Sequence, residues 1–499
     1  MAVRQKNGGL STVKKQAFNP YLPSYEYIPD GEPRVFGERL YIYGSHDRFG
    51  SSKYCENDYV CWSAPISDLS DWRYEGTIYT KEDHPADEIH ERTCLYAPDV
   101  VQGTDKKYYL YYSMSGSSII SVAVCNTPAG HYTYLGDVHY PASDSTTAAG
   151  YARGEFYQFD PSMLVDDDAR IYLYSGFAPK SDEDDKGRLY VGCHAYELST
   201  DMLTILHGPS LVIPKVWQKE NGAAYFEAPS MRKINGFYYL VYSARITGLY
   251  YYYSQNPLKG FQFGGRIHST SDIGINGHDA DYPAYPVGNI HGGIVCINSQ
   301  YYIFDHRHTN HTSYQRQGVA EPIYLEQDGT ITQSEATSCG LNGFPLIGEG
   351  TYPAYIACCL FYPKGTPKEF ATACMTQDTE DIYCSRLLHS GSAYHDIESV
   401  DNPIQYLHGI NDTLTFAYKY FEVNHRITEI HCKIRGKANG VLSIMLGENN
   451  PSVGKLQLYH DSKDWTLVTI PCSIPTGKQA LFFTYSGEGS FDMQCFTLL

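Results

Sequence analysis

The chain has 499 residues, enough for two or three domains, with 42% hydrophobic residues and a formal net charge of −18. That charge argues against nucleic acid or an anionic membrane as partner, since both require basic patches. No run approaches the roughly 18 apolar residues of a membrane span, and the 14 cysteines lack the paired spacing of zinc sites.

Taken in chain order, the first stretch, MAVRQKNGGLSTVKKQAF, has no apolar signal region. The expectation from it is a cytoplasmic protein with reduced cysteines, Cys55 and Cys61 being the pair an oxidising compartment would join. Five similar segments follow: GERLYIYGSHD from Gly37, DKKYYLYYSMS from Asp105, DARIYLYSGFA from Asp168, NGFYYLVYSAR from Asn235 and NSQYYIFDHRH from Asn298. Each opens on a polar turn and then alternates aromatic with aliphatic residues, the pattern of a hairpin feeding a half-buried strand. Another strand and turn follow each one. A unit of about four short strands repeated at near-even spacing is a propeller blade. The 47 tyrosines suit half-buried strands, and a ring with a hydroxyl also suits sugar-binding clefts.

A short strand precedes each turn and should lie beside the propeller axis. Asp30 stands 11 residues before Tyr41, Asp160 and Glu227 stand 12 before Tyr172 and Tyr239, and His291 stands 11 before Tyr302. Four blades thus bring an ionisable residue to nearly one register at the axial mouth, and the one-residue offsets call for a looser turn or a bulge in two blades. Like charges crowded in a cleft raise each other's pKa values, and such clusters mark functional sites.

Converging carboxylates serve glycoside hydrolysis, in which one protonates the leaving oxygen and another activates water, or binding of a hard cation. Glu227, between Phe226 and Ala228-Pro229, has the apolar setting that keeps a carboxyl protonated, so it is the expected general acid. Asp30, close to Arg34, should stay ionised as general base, with Asp160 tuning the acid. His291 is either a satisfied buried histidine or an axial ligand. Arg316 would anchor a sugar hydroxyl or a carboxylate, or form a surface ion pair. His46 and Asp47 end a strand and would line the pocket. Asp99 is out of register and reads as structural, Asp166, Asp167 and Asp168 as a hairpin turn, and the His306, His308 and His311 tract as strand end and pocket rim.

Taken together, IPDGEPRVFGERLYIYGSHD, YAPDVV, FDPSMLVDDDARIYLYSG, FEAPSMRKINGFYYLVYSA, IHGGIV and RQGVAEPI resemble glycoside hydrolase family 43 over residues 18–340. The resemblance implies a five-bladed β-propeller of inverting, mostly exo-acting enzymes on arabinose- and xylose-containing glycans. It places the general base on Asp30, the pKa-modulating aspartate on Asp160 and the general acid on Glu227. It also places an axial histidine, in contact with a water or an ion such as a structural calcium, on His291, and a sugar-binding arginine on Arg316. Chemistry on this plan needs no cofactor. Tyr96-Ala97-Pro98 stands where Trp-Ala-Pro is frequent, and Glu227-Ala228-Pro229 where Glu-Gly-Pro is. Both departures alter the pocket walls, where Tyr96 and Phe226 are expected to meet substrate.

Beyond Cys339 the five-fold pattern stops. The expected division is a propeller over 1–340, a Gly/Pro-rich crossing segment over 341–385 and a β-sandwich over 386–499. The closing ALFFTYSGEGSFDMQCFTLL resembles a family 6 carbohydrate-binding module, which here is expected to pack against the propeller. The sequence therefore reads as an all-β exo-glycosidase releasing α-L-arabinofuranose or β-D-xylose from oligosaccharides. The alternatives are an endo-acting arabinanase or xylanase and a non-catalytic glycan-binding propeller.

Overall fold

The computed structural model describes residues 16–86, 90–141, 156–216, 222–245, 247–378, 392–393 and 405–499. Most of the opening segment and residues 379–391 of the expected crossing and sandwich lie outside the described residues. Five antiparallel sheets follow one another. They are β1–β4 (Glu32–Phe36, Arg39–Tyr43, Tyr59–Pro65, Arg73–Tyr79), β5–β8 (Asp99–Gln102, Tyr108–Ser113, Ile120–Cys125, Thr133–Asp137), β9–β12 (Ser162–Val165, Ile171–Ser175, Gly192–Leu198, Ile205–Pro214), β13–β16 (Glu227–Ile234, Phe237–Ser243, Leu249–Ser254, Gln262–His268) and β17–β19 (Ile294–Ile297, Gln300–Thr309, Thr312–Ile323). These are the blades of the propeller. The fifth has three strands, and residues 19–21 take the outer place: Tyr21 N–H donates to Gly318 O at 3.3 Å, and Asn19 exchanges side-chain bonds with Ala320 at 3.0 Å.

The ring is held by apolar clusters at the blade seams. Tyr43 and Cys61 meet Leu110 and Tyr112; Tyr111 and Val122 meet Leu173 and Tyr196; Tyr174 and Cys193 meet Leu240 and Tyr242. Val241 and Tyr251 then meet Ile303 and Ile323, and Phe304 and Ala320 return to Leu40 and Trp62 of the first blade. Tyrosine suits these seams because its ring fills the gap while its hydroxyl reaches the next blade's backbone. Tyr43, Tyr111 and Tyr174 occupy equivalent places and donate to the carbonyls of Pro128, Met202 and Pro257 at 2.8, 2.6 and 2.9 Å. The richness in tyrosine is thus largely a seam requirement.

Strand pairing explains the register offsets. The repeated tyrosines Tyr41, Tyr172, Tyr239 and Tyr302 sit opposite Arg34, Leu164, Arg232 and Val295 on the inner strands. Asp30, Asp160 and His291 each stand four residues before that partner. The extra residue ahead of Tyr172 comes from the longer turn at Asp166–Arg170, where Asp166 N–H donates to Arg170 O. The extra residue ahead of Tyr239 comes from a bulge between Glu227 and Ser230.

Further strands form a single C-terminal sheet: β20 (Leu346–Ile347), β21 (Gly350–Pro353), β22 (Cys359–Phe361), β23 (Cys374–Thr376), β25 (Tyr406–Ile410), β26 (Thr415–Val423), β27 (Ile427–Met445), β28 (Ser452–Ile474) and β29 (Gly477–Leu498). A two-residue strand, β24 (Ser392–Ala393), instead adds to the outer edge of the first blade. Residues 346–376, expected within a crossing segment, are therefore part of the C-terminal sheet. The expected sandwich is realised by curling. Leu481 pairs with Tyr418, yet the Phe496 ring packs 4.4 Å from Tyr418. A straight strand would carry Phe496 about 50 Å from Leu481, so β29 bends back over its own core. On β27 the bend is marked by Gly436 (φ 129°), where a Cβ would stand 2.7 Å from Phe491 Cα.

The two domains are joined by buried polar contacts. Arg307 donates to the carbonyls of Tyr355 and Ala357 at 2.7 and 2.9 Å. Lys419 Nζ bonds Asp272 at 2.7 Å and Glu335 at 2.9 Å, with the Lys419 and Asp272 side chains 4% and 1% exposed. Breaking a buried pair from one side is strongly destabilising. Lys419→Met should therefore lower stability by about 3–5 kcal/mol in urea denaturation at neutral pH. Burial already pushes the Asp272 carboxyl above its ordinary range, so on acidification the stranded group takes up a proton and the deficit narrows. A variant as stable as the parent at neutral pH would show that this pair does not hold the junction.

Candidate active site

The inner strands stack their inward side chains in layers. At the mouth stand Asp30, Ala97, Asp160, Glu227 and His291; two residues further in, or three on the bulged fourth blade, stand Glu32, Asp99, Ser162, Ser230 and Gly293. Asp30 and Asp160 are 5% and 3% exposed, while Glu227 keeps part of its surface open. The three carboxylates meet as the register required. Asp30 and Asp160 have left-handed backbones (φ 58° and 51°), as does Ala228 (φ 63°) beside Glu227. Each such residue stores strain that surrounding structure must hold. For Asp30 the hold is its N–H, donated to His306 Nδ1 at 3.2 Å. For Ala228 it is an N–H donated to the Asp160 carboxylate.

The three carboxyls have sharply different proton affinities. Burial works against the charge on Asp30, but Arg316, with Nη1 at 3.0 and 3.2 Å from its two oxygens, leads the positive neighbours that hold it at about 2. Asp160 is pushed up to about 7 by burial and by Asp30, against the pull of His291. Burial first, then Asp160 and Asp30, drives Glu227 well above the ordinary carboxyl range. Burial opposes protonation of His291, yet Glu32 at 3.7 Å, Asp160 at 3.7 Å and Asp30 at 4.0 Å hold it at about 9. The mouth therefore sets a carboxyl held low at Asp30 against one pushed high at Glu227, with the charged form of His291 favoured between them.

Several expected site residues take other positions. Arg316 is 2% exposed and makes a buried, not a surface, ion pair. Its Nε and Nη2 bond Asp47 at 2.8 and 2.9 Å, and its guanidinium lies 4.9 Å from the Tyr54 ring. Asp47 (1% exposed) is occupied by Arg316 and the Cys55 N–H, and His46 (2%) lies between the Glu26 carboxylate at 3.1 Å and the Asp58 carbonyl at 2.8 Å. Both are buried and taken up by protein partners. Of the histidine tract, His306 is buried away from any rim, while His308 and His311 line a separate small cavity with Tyr285 and Thr312; the Nε2 atoms of His306 and His308 both meet Asn289 O, at 2.8 and 3.0 Å. His311 Nε2 reaches Thr372 O at 2.5 Å. Asp99 is structural, bonding Arg34 Nε at 3.0 Å and Met163 N at 2.8 Å.

Tyr96 and Phe226 belong to a half-buried aromatic wall. Phe159 packs 5.3 Å from Tyr96, and Phe177 packs 5.1 Å from Phe226. The sequence reading missed Phe159, Phe177 and Tyr54, and placed His306 on the rim rather than against the Asp30 N–H. For Phe159 a signal was present, since it precedes Asp160 as Phe226 precedes Glu227.

The neighbourhood of His291 does not suit calcium. Calcium takes six to eight oxygens, whereas here Glu32 is bound by Arg232 at 2.5 Å and Asp30 by Arg316. Among the described residues no group of three or more His, Cys, Asp or Glu side chains has ion-holding geometry.

The family model Glycosyl hydrolases family 43 matches residues 28–331. A xylosidase/arabinosidase of Thermoclostridium stercorarium is 44% identical over 493 residues, covering 97% of this chain and 99% of that protein. Xylosidase/arabinosidase 43A of Humicola insolens is 26% identical over 61% of this chain and 96% of its own. Among solved structures, a family 43 arabinoxylan arabinofuranohydrolase from Bacillus subtilis in complex with cellotetraose matches 96% of this chain and 97% of its own, with a TM-score of 0.51 and 18% identity. A β-xylosidase/α-arabinofuranosidase from a compost metagenome, in a calcium-free form with xylotriose, matches 64% of this chain and 97% of its own at 0.51 and 23%. Both share the fold.

Arg316→Met tests the charge balance directly. Without its guanidinium, the Asp30 carboxyl should climb from about 2 toward the ordinary aspartate range in a carbon-13 NMR titration. An unmoved Asp30 would show that Arg316 does not set its charge.

Proposed function

Since the chain belongs to glycosyl hydrolases family 43, we propose that it is an inverting, exo-acting glycosidase releasing terminal α-L-arabinofuranosyl or β-D-xylosyl units from oligosaccharides. The observation that carries this reading is the trio of carboxyls with different proton affinities at one mouth. The sugar assignment is supported by the names of the relatives, above all the 44% identical xylosidase/arabinosidase.

In this mechanism Asp30, ionised by Arg316, takes a proton from a water as that water attacks the anomeric carbon. Glu227, kept protonated by burial and by its acidic neighbours, gives its proton to the departing glycosidic oxygen. Asp160 raises the proton affinity of Glu227 and is itself oriented by the Ala228 N–H. Asp47 and His46 position Arg316 and the first blade rather than touching sugar. His291 acts as a fixed positive charge between the layers. No step needs a metal, and the donor set around His291 gives no reason to add calcium.

The wild type should cleave p-nitrophenyl α-L-arabinofuranoside or β-D-xyloside with and without chelator, and NMR should show the inverted anomer of the product forming first. Glu227→Gln should lower turnover of an oligosaccharide by about 10²–10⁴-fold, and by less for the nitrophenyl glycoside, whose leaving group needs less protonation. Full turnover by Glu227→Gln on both substrates would sink the acid assignment.

The pH profile carries a second test. Activity requires Asp30 ionised and Glu227 protonated, so the acid limb should lie low, near the value of about 2 for Asp30. The basic limb should follow proton loss from the coupled Asp160–Glu227 pair. The Asp160 charge raises Glu227, so Asp160→Asn lets Glu227 ionise at lower pH and moves the basic limb down. A basic limb that stays put or moves up would remove Asp160 as the modulator.

A further inference from the structure

We infer that the aromatic wall centred on Phe177 is the subsite for the sugar unit on the leaving-group side, a reading that rests on the glycosidase assignment above. The wall comes from three blades. Phe177 follows β10, and its ring packs against Phe226 at 5.1 Å, Tyr190 at 5.4 Å, Phe159 at 5.5 Å and Tyr157 at 5.9 Å; Phe159 in turn meets Tyr96 at 5.3 Å. All six rings are half-buried. A connected aromatic surface left partly open beside a reaction centre marks a binding face. The backbone is built to present it: Gly176 has φ 155°, and a Cβ there would fall 2.0 Å from Gly192 O, so only glycine allows the turn into Phe177.

Its position identifies the occupant. Phe226 and Phe159 directly precede Glu227 and Asp160, so the wall adjoins the acid and its modulator on the second to fourth blades. The base and its supports, Asp30, Asp47 and Arg316, belong to the first and fifth. An acid must reach the glycosidic oxygen, so the departing unit lies on the acid's side. The chemistry also suits a neutral sugar. Aromatic faces accept the apolar C–H faces of a pyranose or furanose ring. Two guanidiniums flank them: Arg188 lies 4.9 Å from the Tyr157 ring and Arg245 lies 5.9 Å from the Phe226 ring. Arg188 is fixed by Asp184 at 2.6 Å and Ser118 at 2.8 Å, which places a donor at the edge of the stacking face.

The test compares leaving groups with and without a sugar ring. Xylobiose and β-D-xylosyl fluoride form one pair; an arabinofuranosyl oligosaccharide and α-L-arabinofuranosyl fluoride form the other; the pair used is the one the wild type turns over. For Phe177→Ala, kcat/KM on the oligosaccharide should fall by about 10- to 100-fold, the range for losing one apolar contact surface, while the fluoride loses less than about 3-fold. Phe177→Leu keeps bulk without a π face and should behave like the alanine variant; Phe177→Trp should retain most activity. Equal losses on oligosaccharide and fluoride would make the wall a mere support of Glu227 and overturn the inference, as would no loss on either. A wild type that cleaves neither pair would overturn the proposed function itself, and the subsite with it.

Discussion

One guanidinium stands at the point on which both fold and site depend. Arg316, on the last propeller strand, reaches back to the first blade and binds Asp30 and Asp47 there. A propeller ring must be closed where its chain ends meet, and this seam also has the apolar cluster of Phe304, Ala320, Leu40 and Trp62. The same bond that spans the seam fixes the charge of Asp30. A buried arginine with two carboxylates is costly to desolvate and is retained where specificity or function requires it. Here the closure of the ring and the ionisation of the proposed base are one interaction, and a loosened seam would also unsettle the base.

The other carboxyls are raised first by burial, and the charge on Asp30 adds to the effect. Asp160 is intermediate because His291 partly offsets the repulsion, and Glu227 holds its proton more firmly still. The gradient of proton affinity around the mouth thus needs no special chemistry at Glu227. It requires one well-compensated carboxylate, one partly compensated, and one that faces mostly negative charge.

Much of this could be read in the sequence, for a physical reason. Blades repeat, so equivalent positions can be compared within one chain, and Asp30, Asp160 and Glu227 stood out because each begins an inner strand at nearly one register. What could not be read were contacts that join distant blades. The His306 ring meets the Asp30 N–H across 276 residues, and Arg316 meets Asp30 across 286. Such pairs depend on ring closure, and no local pattern encodes them. Asp47 and His46 were misplaced for the same reason, since a strand end beside an active site faces either the pocket or the seam. The aromatic wall was hidden among 47 tyrosines and 20 phenylalanines, many of which pack at the blade seams. The C-terminal sheet was underestimated because strands such as β20 and β22, at two and three residues, are too short to show a period.

The layered channel also explains why the mouth is asymmetric. Five inner strands offer five inward positions, and four hold Asp30, Asp160, Glu227 and His291. The second blade places Ala97 there, and its carboxylate stands one layer deeper as Asp99, paired with Arg34. A fifth long side chain at the mouth would fill the space the four others surround. With alanine, the opening lies toward the second and third blades, where Tyr96 and Phe159 begin the aromatic wall. The displaced carboxylate is used instead to tie the first blade to the third, since Asp99 also accepts the Met163 N–H. Alanine at this place thus opens the mouth on the side where a leaving sugar would sit, and Asp99 stiffens the ring beneath it.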